Sequence, residues 1–268
     1  MDGNARIRNA FETAEGMLLM THVVSGYPDL DISNRLIAGM AEAGAGLIEV
    51  QIPFSDPIAD GPKIVAANTQ AVQAGITPDD VLGAIAKLAK QTSVPLLIMT
   101  YLNPVYHYGV EAFVKAAVEA GACGMIVPDC PPEEQEGAAK LAARCNDAGL
   151  AFVPLFAPGM REERMRILME AFSSPFVYAV LRLGVTGRAT EIDPAVVAYL
   201  ESIRRVTGAR IAGGFGIRTR EQIQLLEGHV DCAVVGTAVL ACVDEAAASG
   251  RDPVEAVSAM IAGLLRND

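Results

Sequence analysis

The chain has 268 residues and a formal net charge of −11, with 51% hydrophobic and 20% charged residues. This composition is typical of an ordered globular protein of one large domain or two small ones. The acidic balance argues against an extended nucleic-acid interface and against binding to an anionic membrane surface, since both need clustered Lys and Arg. A small phosphorylated ligand remains compatible, because backbone N–H groups at a helix N-terminus can hold a phosphate.

The start of the chain and the cysteines indicate a cytoplasmic protein. The first residues are polar and amphipathic, without an apolar signal region, and the chain has no apolar run of about 18 residues that could span a membrane. The five cysteines are odd in number and lack CxxC spacing. We therefore expect reduced thiols, no metal site and no membrane segment.

Apolar strands alternate with amphipathic helices along the whole chain. After a leading helix over 4–12, we predict eight strands, over 17–24, 46–52, 94–101, 124–127, 150–156, 175–182, 209–212 and 231–235. The segments between them predict helices, and two further helical segments follow the last strand.

This alternation predicts an α/β protein with a parallel sheet. Eight strands favour one closed (β/α)8 barrel domain over 1–268, with an extra N-terminal helix and a short helix after strand eight. An open doubly wound sheet is the alternative. In a barrel the active site lies at the C-terminal ends of the strands.

Two acidic residues stand at the end of the second strand. Glu49 lies on one face of that strand, opposite a wholly apolar face, and Asp60 follows in the loop before Gly61 and Pro62. A carboxylate removed from water is costly unless it is paired, neutralised or used in chemistry. Both are therefore candidate catalytic acids, the alternative being a backbone-satisfied Glu and a turn-forming Asp.

Glycine-rich loops follow the last three predicted strands. They are 184–187, 213–216 and Gly236-Thr237. Backbone N–H groups in such loops can close on an anion at a helix N-terminus. We predict a phosphate site there, with ordinary tight turns as the alternative.

Motifs along nearly the whole chain resemble the tryptophan synthase alpha subunit family. They are SGYPD at 25–29, IPFSDPIADGP at 52–62, YLNPVYHYG at 101–109, PDCPPEE at 128–134, FVYAVLRLGVTG at 176–187, GGFGI at 213–217 and VVGTA at 234–238. The resemblance implies a (β/α)8 barrel that cleaves indole-3-glycerol phosphate to indole and glyceraldehyde 3-phosphate without a cofactor, metal or Schiff base. It also implies a beta-subunit partner that receives the indole, in an alpha2beta2 tetramer.

The resemblance implies roles by position. Glu49 and Asp60 would be the catalytic acids, and Tyr178 would lie beside the indole. The remaining substrate contacts would be Gly187, Gly216, Gly236 and Thr237 to the phosphate, and Phe215, Met99, Tyr101 and Ile126 around the ring. Thr186 would close over the site, and Asp56 would couple its loop to the partner.

The reaction suits two carboxylates. Cleavage requires a proton on indole C3, removal of the side-chain hydroxyl proton, and stabilisation of positive charge at the ring nitrogen. Glu49 could transfer the protons while an ionised Asp60 stabilises the nitrogen. Lys63 stands in a loop and is predicted to be a solvated residue, not a Schiff-base lysine.

Several positions depart from the family pattern, among them Thr21, where Pro is common, and the run 157–160; three others bear on the identity of the substrate. His22 stands where Phe is usual, Gln51 where Gly is usual, and Leu181 where Ser is usual. His22 would point into the barrel near the ring, as a satisfied core residue, a second acid/base or part of an altered pocket. Gln51 could narrow the mouth or hydrogen-bond Glu49. Two alternative functions therefore stay open: a divergent paralogue that cleaves another aryl-glycerol phosphate without a beta subunit, and a non-catalytic ligand-binding regulatory subunit.

Overall fold

The computed structural model describes residues 2–130, 138–181, 194–214 and 216–266. Its nine strands form one parallel sheet in the order β5-β4-β3-β2-β1-β9-β8-β7-β6. They are β1 (Leu18–Val24), β2 (Leu47–Gln51), β3 (Leu96–Met99), β4 (Gly124–Ile126), β5 (Ala151–Phe152), β6 (Leu155–Phe156), β7 (Phe176–Val180), β8 (Arg210–Gly214) and β9 (Cys232–Val235).

The predicted fifth strand closes the barrel as two short strands. β5 pairs with β4, and β6 pairs with β7, so the two edges of the sheet meet within 151–156. Pro154 interrupts the strand because proline has no N–H to donate, but its carbonyl still accepts from Tyr178 N at 2.9 Å. The (β/α)8 barrel is confirmed, and the open-sheet alternative is wrong.

Twelve helices lie within the described residues. They are α1 (Gly3–Thr13), α2 (Leu30–Glu42), α3 (Pro62–Gln73), α4 (Pro78–Leu88), α5 (Leu102–Tyr108), α6 (Val110–Glu119), α7 (Ala138–Asp147), α8 (Glu162–Ala171), α9 (Pro194–Thr207), α10 (Arg220–Leu226), α11 (Thr237–Ala248) and α12 (Pro253–Leu265). The leading helix and the helices after the last strand are confirmed. The sequence did not predict α3 and α5. Within these ranges no helix is both long and apolar enough to cross a membrane.

The leading helix closes one end of the barrel. Ile7 and Phe11 of α1 are buried with the inward-facing side chains, and the rings of Phe11 and Phe176 lie 5.6 Å apart between centroids. Burial of such side chains stabilises a fold by about 1.5–3 kcal/mol each. Because α1 packs against the N-terminal end, a ligand site is expected at the C-terminal ends of the strands.

Helix α5 takes its N-terminal cap from another loop. Tyr101 at the cap position makes no side-chain cap bond, and Asp129 Oδ1 accepts instead from Leu102 N at 2.9 Å.

We expect Asp129→Ala to lower the free energy of unfolding by about 1 kcal/mol, as loss of a helix cap does. Urea denaturation measures the change. Asp129→Asn keeps an acceptor oxygen and should lose less; equal losses in both variants would contradict the capping role.

Candidate active site

A pocket opens at the C-terminal ends of the strands. It encloses about 620 Å³, part of it open solvent. Its walls include nine of the residues singled out from the sequence, namely His22, Glu49, Asp60, Met99, Ile126, Tyr178, Gly216, Gly236 and Thr237.

Some predicted residues lie elsewhere, and some lining residues were missed. Phe215, Thr186 and Gly187 fall outside the described residues. Tyr101 is fully buried and contacts Asp60 instead of lining the pocket, and Leu181 lies in the hydrophobic core. The lining residues not named from the sequence are Ala59, Ile64, Pro128, Leu155, Val180 and Val234. Strand alternation could have found two of them, since Val180 and Val234 lie two residues from Tyr178 and Gly236.

The first candidate acid lies inside the barrel wall, as predicted. Glu49 is 5% exposed, and β1 and β2 pair in a register that places His22 opposite it. Glu49 Oε1 lies 3.5 Å from His22 Nδ1, which is ion-pair distance. The acid therefore has a titratable partner on the neighbouring strand.

The second acid accepts two hydrogen bonds on one oxygen. Gln51 Nε2 donates to Asp60 Oδ2 at 2.8 Å, and the Tyr101 hydroxyl donates to the same oxygen at 3.0 Å. Ala59 N donates to the Tyr101 oxygen at 3.2 Å, so the hydroxyl proton is available for Asp60. Gln51 thus binds Asp60 and not Glu49, which corrects the expectation from the sequence.

Burial and these donors act in opposite directions on Asp60. Burial raises the pKa of the Asp60 carboxyl most, the Glu49 charge raises it further, and His22, Gln51 and Tyr101 lower it; the net direction is upward. The donors stabilise the ionised carboxylate that burial disfavours.

The unpredicted helix α3 anchors the loop that carries Asp60. Asn68 on α3 is fully buried; its Oδ1 accepts from Phe54 N at 3.0 Å, and its Nδ2 donates to Ile64 O at 2.9 Å. The Phe54 ring also packs on Tyr101, with centroids 5.5 Å apart. Both ends of the loop are therefore tied to the barrel.

Two more titratable side chains face the pocket. Burial alone would lower the pKa of His22, but the Glu49 charge and hydrogen bond, Asp60 and Gln51 raise it above its ordinary value. The pKa of the Tyr178 phenol is raised by burial and by Glu49, Cys232 and Asp60, so this phenol stays neutral.

The N-terminus of α11 forms a further part of the pocket wall. The helix begins at Thr237 after Gly236, and neither a side-chain cap nor an acidic residue occupies its first turn. A side chain at 236 would approach His22, since an added Cβ would lie 3.4 Å from His22 Cβ. Gly216 has φ +84°, a conformation that favours glycine. The free N–H groups of this turn suit an anion.

Lys63 lies outside this pocket. Its Nζ is 2.7 Å from Asp244 Oδ2, and the side chain is about half exposed. The five cysteines are free thiols. Among the residues that the structure describes, no cluster of three or more His, Cys, Asp or Glu side chains is placed to bind a metal ion.

Comparisons with known proteins agree over nearly the whole chain. The family model described as tryptophan synthase alpha chain matches residues 9–266. A tryptophan synthase alpha chain from Syntrophotalea carbinolica is 41% identical over 258 residues, covering 96% of this chain and 98% of that protein. One from Desulforapulum autotrophicum is 39% identical over 234 residues, covering 87% of this chain and 91% of that protein.

Solved structures give the same result. Tryptophan synthase subunit alpha from Legionella pneumophila superposes with a TM-score of 0.88 at 30% identity, covering 97% of this chain and 96% of that one. A chain of the tryptophan synthase complex from Pyrococcus furiosus superposes with a TM-score of 0.81 at 28% identity, covering 93% and 98%.

Proposed function

The chain belongs to the tryptophan synthase alpha chain family, and from this premise we propose how its residues carry out the reaction. It is a lyase that cleaves indole-3-glycerol phosphate to indole and glyceraldehyde 3-phosphate in tryptophan biosynthesis. The observation that supports the assignment of roles is that Glu49 and Asp60 line one pocket, with Asp60 held as a hydrogen-bond acceptor.

Glu49 transfers the protons in this proposal. It gives one proton to indole C3, and the ring becomes a cation. It then takes the proton of the side-chain hydroxyl, so that the carbon–carbon bond breaks, an aldehyde forms, and the bonding electrons return to the ring. One proton leaves the enzyme and one returns, so a single buried carboxyl serves both steps.

Asp60 stabilises the cation. Its Oδ2 is occupied by Gln51 and Tyr101, so Oδ1 is the oxygen available for the ring N–H. A fixed negative charge in a site with little water favours the charged intermediate over the neutral substrate. Tyr178 and the apolar residues Met99 and Ile126 pack around the ring.

The phosphate binds at the start of α11. Gly236 and Thr237 supply backbone N–H groups, with Gly216 beside them, and the uncapped helix N-terminus favours negative charge. Gly187 and Thr186 are proposed to complete the site from their loop, and Phe215 to pack on the ring. No basic side chain is needed for this mode of binding.

The chain works with a beta subunit in this proposal, as an alpha2beta2 tetramer that passes indole to the partner. One of its structural relatives is a chain of the Pyrococcus furiosus tryptophan synthase complex. Asp56 is exposed on the loop between β2 and α3, and Ile58 beside it is 73% exposed, a large apolar surface for a partner to cover. We place the protein in the cytoplasm, consistent with its five free thiols.

Release of indole from indole-3-glycerol phosphate tests the function directly. We expect the purified protein to release indole alone, and more quickly when a tryptophan synthase beta subunit is added. Release that a beta subunit leaves unchanged would favour the divergent paralogue. Binding of the substrate without any indole release, in both conditions, would favour the regulatory subunit.

A further inference from the structure

Gln51 has a fixed orientation beneath the pocket. The side chain is fully buried, and its amide faces Asp60 Oδ2. Tyr101 must donate its hydroxyl proton to that oxygen, because Ala59 N–H already donates to the Tyr101 oxygen. Asp60 Oδ2 is therefore an acceptor, and the group of Gln51 that faces it is the NH2. The amide oxygen Oε1 consequently points away from Asp60.

Gln51 Oε1 and His22 Nε2 are two buried polar atoms without a hydrogen bond of normal geometry among the described residues. The two side chains are nevertheless close, since Gln51 is one of the groups that raise the pKa of His22. A buried carbonyl oxygen and a buried ring nitrogen each cost stability when left unpaired. These two atoms can pair only if His22 Nε2 carries a proton and donates it to Gln51 Oε1.

The other ring nitrogen also faces an acceptor. His22 Nδ1 lies 3.5 Å from Glu49 Oε1. A neutral imidazole carries one N–H and can donate to only one of these oxygens, whereas an imidazolium carries two and can donate to both. The geometry on both sides of the ring therefore favours the charged form.

We propose that His22 is an imidazolium in the empty site and, with Gln51, joins Glu49 and Asp60 into one chain of hydrogen bonds that keeps both acids ionised. The roles of the two acids rest on the proposed function; the protonation of His22 does not. Gln51 acts through the acids and is a positioning residue, whereas His22 passes a proton through Glu49 without contacting the substrate itself. In turnover the proton that Glu49 gives to C3 comes from His22 Nδ1, and the hydroxyl proton returns by the same path, so no other acid is needed.

The charges around the ring are consistent with this state. Among the described residues the negative charges that reach His22 are Glu49 on β2 and Asp60 on the following loop. The strand on its other side, β9, leads to Gly236 and Thr237, which do not ionise. The Tyr178 phenol on β7 stays neutral because its pKa is raised. When the His22 ring is charged, one positive charge lies between the two negative charges of Glu49 and Asp60.

Nuclear magnetic resonance of the histidine ring nitrogens tests the proposal without substrate. The chain has three histidines, so His22→Phe identifies the His22 signals, and exposed His107 is an internal reference. We expect His22 in the whole protein to lose its proton above its ordinary pKa of about 6.5. In Glu49→Gln the midpoint should fall by about one pH unit or more, because the opposite charge is gone. Asp60→Asn should lower it less.

Two results would overturn the proposal: a His22 midpoint below the ordinary value in the unmodified protein, or the same midpoint in Glu49→Gln and Asp60→Asn as in the unmodified protein. The signals of His107 should be the same in every variant, which shows that the substitutions leave its surroundings on α5 unchanged. The resonance experiment measures no turnover. A result that overturns the proposal about His22 can therefore be told apart from a failure to release indole.

The pH dependence of activity gives a second readout. Loss of the imidazolium should make Asp60 harder to ionise, so the acidic limb of kcat against pH should shift to higher pH in His22→Phe. Gln51→Leu should shift it less, and both variants should change KM less than kcat. Activity that falls by the same factor at every pH would show a merely structural role and would contradict the proposal.

Discussion

Glu49→Gln should lower the rate of indole release by about a thousandfold, within the usual contribution of a positioned general acid or base. Gln has nearly the same size as Glu and can still fill the buried site on β2. It can neither give a proton to C3 nor accept one from the hydroxyl, so both steps assigned to this carboxyl fail. Indole formed per minute, measured at saturating substrate, gives the change in kcat.

The variant should still bind the phosphorylated end of the substrate. Glycerol 3-phosphate binding by calorimetry should change little, because the helix N-terminus at Gly236 and Thr237 is untouched. Glu119→Gln is a matched control, since this glutamate is two-thirds exposed on α6 and makes a surface ion pair with Lys115. Near-normal turnover in Glu49→Gln would remove Glu49 from the mechanism.

Much of the fold follows from the strand and helix periodicities of apolar residues in the sequence. Apolar runs bounded by Gly, Pro or Asp predict the strands, and their count predicts closure. Helix α3 was missed because its segment follows a loop that contains Pro53 and Pro57, and α5 because it begins almost directly after β3 and contains Pro104. α3 has no side-chain cap, and α5 takes its cap from Asp129, a residue distant in the sequence. Tertiary contacts stabilise these helices, and a local pattern does not show such contacts.

Some features of the active site could likewise be predicted from the sequence, and others could not. A buried Glu49 follows from strand alternation, and its position beside His22 follows from the register of two neighbouring strands. The bond from Gln51 to Asp60 could not be predicted, because it depends on how the loop after β2 folds back over the strand end. The sequence offered Glu49 as the partner for Gln51, since the two share a strand face. The returning loop places the Asp60 carboxylate within hydrogen-bond distance of Gln51.

Asp60→Asn should reduce kcat by about a hundredfold, a loss typical of removing one electrostatic group that stabilises a developing charge. The asparagine amide has no charge to offset the ring cation. Its NH2 group would also compete with the donors Gln51 and Tyr101, which both aim at Oδ2. Tyr101→Phe keeps the carboxylate and removes one donor, so it should lose only about tenfold.

Stability should move in the opposite direction from activity, which separates a chemical effect from unfolding. Burial raises the pKa of Asp60, so its protonated form is the one that folding favours. That contribution is full below the unfolded pKa and is lost as the pH rises through the folded pKa. At pH 8 the ionised carboxylate therefore costs stability, and Asp60→Asn should melt at the same or a higher temperature than the unmodified protein.

Asp56→Asn, on the exposed part of the same loop, is the control for the substitution itself. If Asp60→Asn instead melts several degrees lower, lost activity reflects a disordered loop, and the assignment of Asp60 to the ring nitrogen fails.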